Sequence, residues 1–291
     1  MAKRNRIYRL TIQLQDDEGN PIEEAIVITN PIGIQFTVNR GIYSQRQSLE
    51  IDIFNLNKEH RRRIFRDKFQ DQYLMCILEA GYEDIGMAVI FAGFVWSCYS
   101  KREGTNTVTH ITANTNLGEQ YAVVNATLEK GQTIQDVVDA CMKAVPYYTT
   151  GKQSIPDFTF VKPITIADNA FRILRTYTGK RVYSDLMQVY VLDDDEAIEG
   201  YVEEITDSTG LLGTPERKDA TLTIKTMFEP RLVVGQIIQI NSSVAPEFNE
   251  QCKIFGIIHS GVINDASAGK LETTIQMNIG SQVYGRFKII K

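Results

Sequence analysis

Leu271-Glu-Thr-Thr-Ile-Gln-Met-Asn-Ile279 alternates without a fault. Leu271, Thr273, Ile275, Met277 and Ile279 fall on one side, and Glu272, Thr274, Gln276 and Asn278 on the other. A period of two belongs to a strand with one dry face and one wet face. Lys253–Ser260, Gln236–Ile240 and Ala220–Met227 precede it as further strand-like runs. Composition extends this reading to the whole chain: 34 Ile stand against 16 Leu, beside 20 Val and 24 Thr. Helical proteins lean on Leu and Ala, whereas β-branched side chains suit a pleated, half-buried surface. The 291 residues, 43% hydrophobic and 23% charged, are therefore expected to form a mainly β protein, with a length that suits roughly two domains.

The first 115 residues are rich in strand signals. Tyr8, Leu10, Ile12 and Leu14 alternate with Arg9, Thr11 and Gln13. The basic start, Met1 to Arg6, is therefore read as leading into a strand and not as an export signal, whose core would be continuously apolar. Leu49, Ile51 and Ile53 alternate in the same way. Asn57 is placed to cap a helix from Lys58 to about Lys68, with Ile64 and Phe65 facing inward. Two apolar strands, Tyr73–Ala80 and Met87–Tyr99, are expected on either side of a turn around Gly81, and a hairpin at Lys101–Thr105 leads into Thr107–Thr112.

The middle changes period. Thr133-Ile-Gln-Asp136 has capping-box spacing, and Ile134, Val137, Val138, Cys141 and Val145 follow at helical intervals until Pro146. A second helix is expected from about Ala167 to Tyr177, ending at Gly179, followed by strands Arg181–Tyr183 and Gln188–Leu192. The expected organisation is a β domain over residues 1–118, an α/β domain over 119–205 and a second β domain over 206–291. Ile90-Phe-Ala-Gly-Phe-Val-Trp-Ser97 also resembles Ile254-Phe-Gly-Ile-Ile-His-Ser260. Each is followed by a turn and an alternating strand, and each is preceded by a strand ending in a breaker. This internal echo points to two related β-barrels flanking an α/β insert.

Possible reactive groups do not assemble into a site. His60, His110 and His259 lack metal-ligand spacing, and no phosphate loop or nucleophile elbow occurs. A hairpin centred near Glu103 would set His110 opposite Trp96 and diagonal to Cys98. Cross-strand packing is the reading, because no third group orients the pair. Cys76, Cys98, Cys141 and Cys252 are expected as buried thiols. No catalytic, cofactor-binding or metal-ligating residue is assigned. The net charge of −5 gives no footprint for wrapping DNA, and no segment is long and apolar enough to span a bilayer.

Two charged patches remain as candidate subunit or partner contacts. One is basic, with Lys58, Arg61, Arg62, Arg63, Arg66 and Lys68 on the predicted helix. The other is acidic: Asp193, Asp194, Asp195 and Glu196, continued by Glu199, Glu203, Glu204 and Asp207. The calcium-loop spacing is absent from the latter, so it is read as a solvated or partner-facing loop.

The order of pieces resembles the baseplate hub proteins of contractile-tailed bacteriophages, the late control protein D group, and the hub portion of type VI secretion spike proteins. The residues that carry the likeness are spread along the chain. They include strand–Asn55-Leu-Asn57–helix, Ala80-Gly81-Tyr82, Ile90-Phe91-x-Gly93 and Tyr190-Val-Leu192. The most specific are Ser208-Thr-Gly-Leu-Leu-Gly-Thr-Pro215 and Pro230-Arg-Leu-Val-Val-Gly235. The resemblance implies a structural virion protein, not an enzyme, with two tail-tube-like β-barrels per subunit. It further implies a homotrimer that adapts a six-fold tail tube or tube initiator to a three-fold central spike. Baseplate wedge proteins are then neighbours, and tape measure protein and DNA pass through its channel. The expected location is the tail baseplate of a virion assembled in the host cytoplasm, with no cofactor and no stable membrane association. Readings from other classes are a tail-associated peptidoglycan hydrolase, which would depend on His110 or His259, and a carbohydrate-binding β module. A single Trp gives little support to the latter.

Overall fold

The computed structural model describes residues 5–16, 20–43, 47–65, 73–115, 122–264, 269–279 and 287–290. The first part contains β1 (Arg6–Gln15), β2 (Ile26–Thr29), β3 (Ile34–Gly41), β4 (Ser48–Phe54), α1 (Lys58–Ile64), β5 (Tyr73–Tyr82), β6 (Gly86–Glu103) and β7 (Asn106–Asn114). The middle adds β8 (Val123–Leu128), α2 (Ile134–Lys143), β9 (Thr149–Gln153), β10 (Ile164–Asn169), α3 (Ala170–Thr178), β11 (Arg181–Asp185) and β12 (Gln188–Leu192). The last part holds β13 (Glu196–Ile198), β14 (Glu204–Thr206), β15 (Leu211–Lys218), β16 (Thr221–Met227), β17 (Ile237–Asn241), β18 (Gln251–Ile263), β19 (Leu271–Ile279) and β20 (Lys288–Ile290). The chain is mainly β with few helices, as its β-branched composition requires.

Thirteen strands form one sheet in the order β15-β16-β19-β18-β3-β4-β7-β6-β5-β1-β2, with β17 and β14 branching from β18. This order contains a duplication. Strands β3-β4-β7-β6-β5 and β15-β16-β19-β18-β17 are each a hairpin followed by a three-strand meander, whose last strand pairs with the second strand of the hairpin. The sequence echo between Ile90–Ser97 and Ile254–Ser260 falls on equivalent strands, β6 and β18. The two units join because β18 is longer than its meander partner. It pairs with β17 through Gln251–Lys253 and then, on the same side, with β3 through Gly256–Ile263.

Three cores lie against this frame. The first packs Leu10, Phe36, Ile51, Leu78 and Phe91, and receives Ile64 from α1. The second gathers Val137, Val138, Cys141, Phe171 and Leu174 from α2 and α3 onto β8, β10 and β12. The third holds Leu222, Ile238, Ile254, Ile257, Ile275 and Met277, together with Tyr183, Tyr190 and Leu192 from the middle of the chain. In β19 the alternation is realised: Leu271, Thr273, Ile275 and Met277 are buried, and the residues between them are half-buried.

Local signals set most element ends. Asn57 caps α1, its Oδ1 accepting the His60 amide at 2.7 Å. At α2, the Thr133 amide and hydroxyl both donate to Asp136 Oδ2, at 2.7 and 2.9 Å. Some expectations need correction. The first helix ends at Ile64, not near Lys68, and Phe65 is exposed instead of facing inward. Arg66 and Lys68 lie outside the described residues. The helix expected from Ala167 starts at Ala170, because residues 164–169 pair with β8 and Asn169 supplies the cap. Gly81 is not in the turn, which spans residues 83–85, but inside β5. A Cβ there would sit 2.0 Å from the Gly86 carbonyl oxygen, so the close approach of β6 requires glycine.

Candidate functional site

The hairpin between β6 and β7 pairs Glu103 with Asn106 and carries a bulge at Trp96. The turn at Gly104 and Thr105, not the bulge, sets His110 opposite Tyr99, correcting the expected pairing with Trp96. Its ring lies 4.9 Å from the Tyr99 ring, and Nδ1 meets Asp52 Oδ1 across β4. Cys98 pairs with Ile111 and points into the first core, so the Cys–His juxtaposition does not form. Burial pushes the thiols of Cys76, Cys141 and Cys252 up to about 12, which leaves them inert as nucleophiles. His259 is fully buried between β3 and β19, with Nδ1 on Thr273 Oγ1 at 2.9 Å and its ring against Phe228. Burial, reinforced by the nearby Arg40 charge, holds it well below the ordinary histidine range. Among the described residues no group of three or more His, Cys, Asp or Glu is placed to hold a metal ion. No helix among them is long and apolar enough to cross a membrane.

The acidic stretch is not a uniform loop. Its first part folds inward, where cations distant in sequence meet it. Glu196 is buried on β13; Oε1 accepts Ser154 Oγ at 2.7 Å and Lys180 Nζ at 2.8 Å, and Oε2 accepts Lys180 Nζ and the Asp193 amide, each at 2.8 Å. Lys288 of β20 adds a contact at 3.2 Å. Burial alone would raise its pKa, but the hydrogen bonds from Lys180, Ser154, Asp193 and Lys288 outweigh it and bring the carboxyl to about 2. Asp194 forms a two-point pair with Arg181, Nε to Oδ1 at 2.8 Å and Nη2 to Oδ2 at 3.1 Å. Lys253 donates to the carbonyls of Asp193 and Asp194, and burial brings its ammonium down to about 8. Asp193 and Asp195 remain exposed. The second part surrounds β14: Asp207 accepts the Ser243 amide at 2.7 Å, and Glu204 accepts Asn241 Nδ2.

The basic helix is likewise divided. Arg63 Nη2 donates to the Glu24 carbonyl at 2.5 Å and lies 3.4 Å from Glu23 Oε2, tying α1 to the approach of β2. Arg61 is partly buried, whereas Lys58 and Arg62 are exposed. Among the described residues, the basic and acidic patches do not come together within one chain. The cations that neutralise Asp194 and Glu196 are Arg181, Lys180 and Lys288. These escaped the sequence reading, although Lys253 in the apolar run around Cys252 and Ile254 marked one buried charge that needed a partner.

The repeated antiparallel frame with its inserted α/β segment is similar in fold to solved tail proteins. The structure superposes on the 43 kDa tail protein of prophage MuSo2 from Shewanella oneidensis with a TM-score of 0.60 at 8% identity, covering 94% of this chain and 97% of that chain. For the tail protein from Neisseria meningitidis MC58 the TM-score is 0.62 at 8% identity, over 97% of this chain and 99% of that one. The E. coli c3393 protein, described as a component of the type VI secretion system similar to T4 bacteriophage tail proteins gp27 and gp5, matches at 0.54 and 12% identity. There the match covers 85% of this chain and 74% of that chain. At these identities the likeness is one of fold. No curated protein sequence matches. The profile of the family described as baseplate hub gp41 matches residues 7–259. The chain belongs to this family, and its class is that of a structural component of the phage tail baseplate.

Proposed function

We propose that three copies of this chain form a closed ring at the centre of the baseplate, joining a six-fold tail tube to a three-fold spike around a channel for tape measure protein and DNA. The observation that carries this reading is the duplicated strand order, β3-β4-β7-β6-β5 and β15-β16-β19-β18-β17. Two equivalent tube-like units in one chain let three chains offer six such units to a six-fold ring while keeping three-fold symmetry below. The likeness of the E. coli relative to gp27 and gp5 supports a spike-type partner. In this reading residues 1–118 and 206–291 carry the tube-like units, 119–205 carries the α/β insert, and the chain acts by assembly, not by turnover.

The test is subunit mass by light scattering, alone and with purified tube and spike proteins, followed by electron microscopy of the complex. A three-fold ring contacting both partners is the expected result. A monomer that joins no ring with both partners present, or hydrolysis of peptidoglycan that is lost in His110→Ala, would overturn it.

A further inference from the structure

Strand β8 pairs on one side with β10 and, among the described residues, with nothing on the other. That free edge borders a groove of about 510 Å³ whose opposite wall is a stripe of α2: Asp136, Asp139, Ala140, Lys143 and Ala144. All six residues Val123–Leu128 line the groove. Side chains of a strand alternate between faces, and here Val124 and Leu128 are buried while Val123, Asn125 and Thr127 are exposed. Six consecutive residues can share one groove only if the backbone edge itself forms the wall. Its outward N–H and C=O groups call for another extended backbone, and the six residues offer about 20 Å of ladder at 3.3 Å each. Val123, 69% exposed, leaves apolar surface at one end.

The charges state what kind of strand fits. The short connection between Leu128 and Ile134 sends α2 back along β8, so Asp136 and Asp139 lie toward the Leu128 end and Lys143 toward the Val123 end. Small side chains, Ala140 and Ala144, leave room between them. An incoming strand therefore meets two carboxylates at one end and one ammonium at the other. We propose that this groove receives an extended strand of a partner protein, antiparallel to β8, carrying Lys or Arg at its N-terminal end and small or β-branched side chains after it. Strand addition of this kind takes affinity from the main chain and selectivity from the flanking side chains. The observation is independent of the ring and holds or fails separately from it.

The probe is the capped peptide Lys-Thr-Val-Thr-Val-Glu, added to the full chain, with hydrogen exchange read at the amides of residues 123–128. Protection of alternating amides in this stretch at about 1 mM peptide is expected. Two control peptides, one with Glu replacing the Lys and one N-methylated at alternate amides, should bind at least about tenfold more weakly. In Asp139→Lys, checked for an unchanged melting temperature, the first peptide should weaken and the doubly acidic one strengthen. Equal binding of the N-methylated peptide, or no protection in 123–128, would overturn the proposal.

Discussion

Arg40 and Asp185, 145 residues apart, meet as a two-point ion pair from which solvent is excluded: Nε to Oδ1 at 2.8 Å and Nη2 to Oδ2 at 2.6 Å, both side chains at 0% exposure. The pair binds β3 of the first unit to β11 of the insert, and it extends further. Arg40 donates to the Leu232 carbonyl, and Asp185 accepts the Val234 amide. One contact set thus fixes three distant segments. Attraction in a dry interior is strong, but so is the cost of desolvation, so the consequence lies in breaking it. Asp185→Leu or Arg40→Met alone leaves an uncompensated buried charge and is expected to destabilise by about 3–5 kcal/mol in urea unfolding. The double variant should cost less than the sum of the two.

Acid should weaken the fold in two separate windows. His259 is held neutral in the folded chain, while its unfolded counterpart takes up a proton below about 6.5. Unfolding is therefore favoured progressively as pH drops below that value, by up to about 1.4 kcal/mol per pH unit. Glu196 has the opposite kind of partner. Its folded pKa of about 2 lies below the ordinary 4.5, so its contribution is complete above 4.5 and lost as pH falls from there toward 2. That contribution is on the order of 3 kcal/mol at most. Chemical denaturation across pH should show both slopes. His259→Gln should remove the upper one, and Glu196→Gln the lower.

Sheet geometry predicts which single atoms the frame rejects. Ile275→Ala empties a fully buried position in β19 and should cost about 2–5 kcal/mol. Glu272→Ala on the wetter face should stay within about 0.5 kcal/mol. Gly81→Ala places a methyl against the Gly86 carbonyl, which backbone must yield to accommodate, and should cost about 1–3 kcal/mol. Thermal unfolding of the three variants ranks them; a Glu272 effect equal to that of Ile275 would mean both faces of β19 are dry.

How much of this was legible depended on the range of the cause. Alternation in β19, the Asn57 cap and the Thr133–Asp136 box are local, and each was readable from a few adjacent residues. The likeness of β6 to β18 was readable too, and the strand order gives it structural form. The β3–β18 pairing was not, since nothing local in residues 34–41 names a partner more than 200 positions away. The placement of His110 failed because the turn falls at Gly104 and Thr105, not around Glu103, which shifts every pair of the hairpin by three positions. Glu196 looked exposed because its own neighbours are acidic, while its cations come from Lys180 and Lys288. Arg40 and Lys253 offered the missed clue, since a charge inside an apolar strand demands a buried partner.

In the proposed ring, a closed rotation requires one patch of each subunit to meet a different patch of the next. After the intrachain pairs are subtracted, the charged groups left exposed in the two patches include Lys58 and Arg62 on α1, and Asp193 and Asp195 beside β13. Arg63 and Glu196 are already committed within the chain. Exposed pairs contribute only about 0.2–1 kcal/mol each, so these four groups should govern encounter more than final cohesion. Lys58→Glu with Arg62→Glu is expected to slow association by about tenfold at low ionic strength and by much less at about 1 M salt, where charges are screened within about 3 Å. The monomer should unfold as the parent does. Adding Asp193→Lys and Asp195→Lys to the same chain should restore the rate by reversing both sides. Stopped-flow light scattering over a salt series measures all three proteins. An unchanged rate for the first variant at every salt concentration would show that the basic helix faces water, and recovery in the quadruple variant would assign the two patches to one interface.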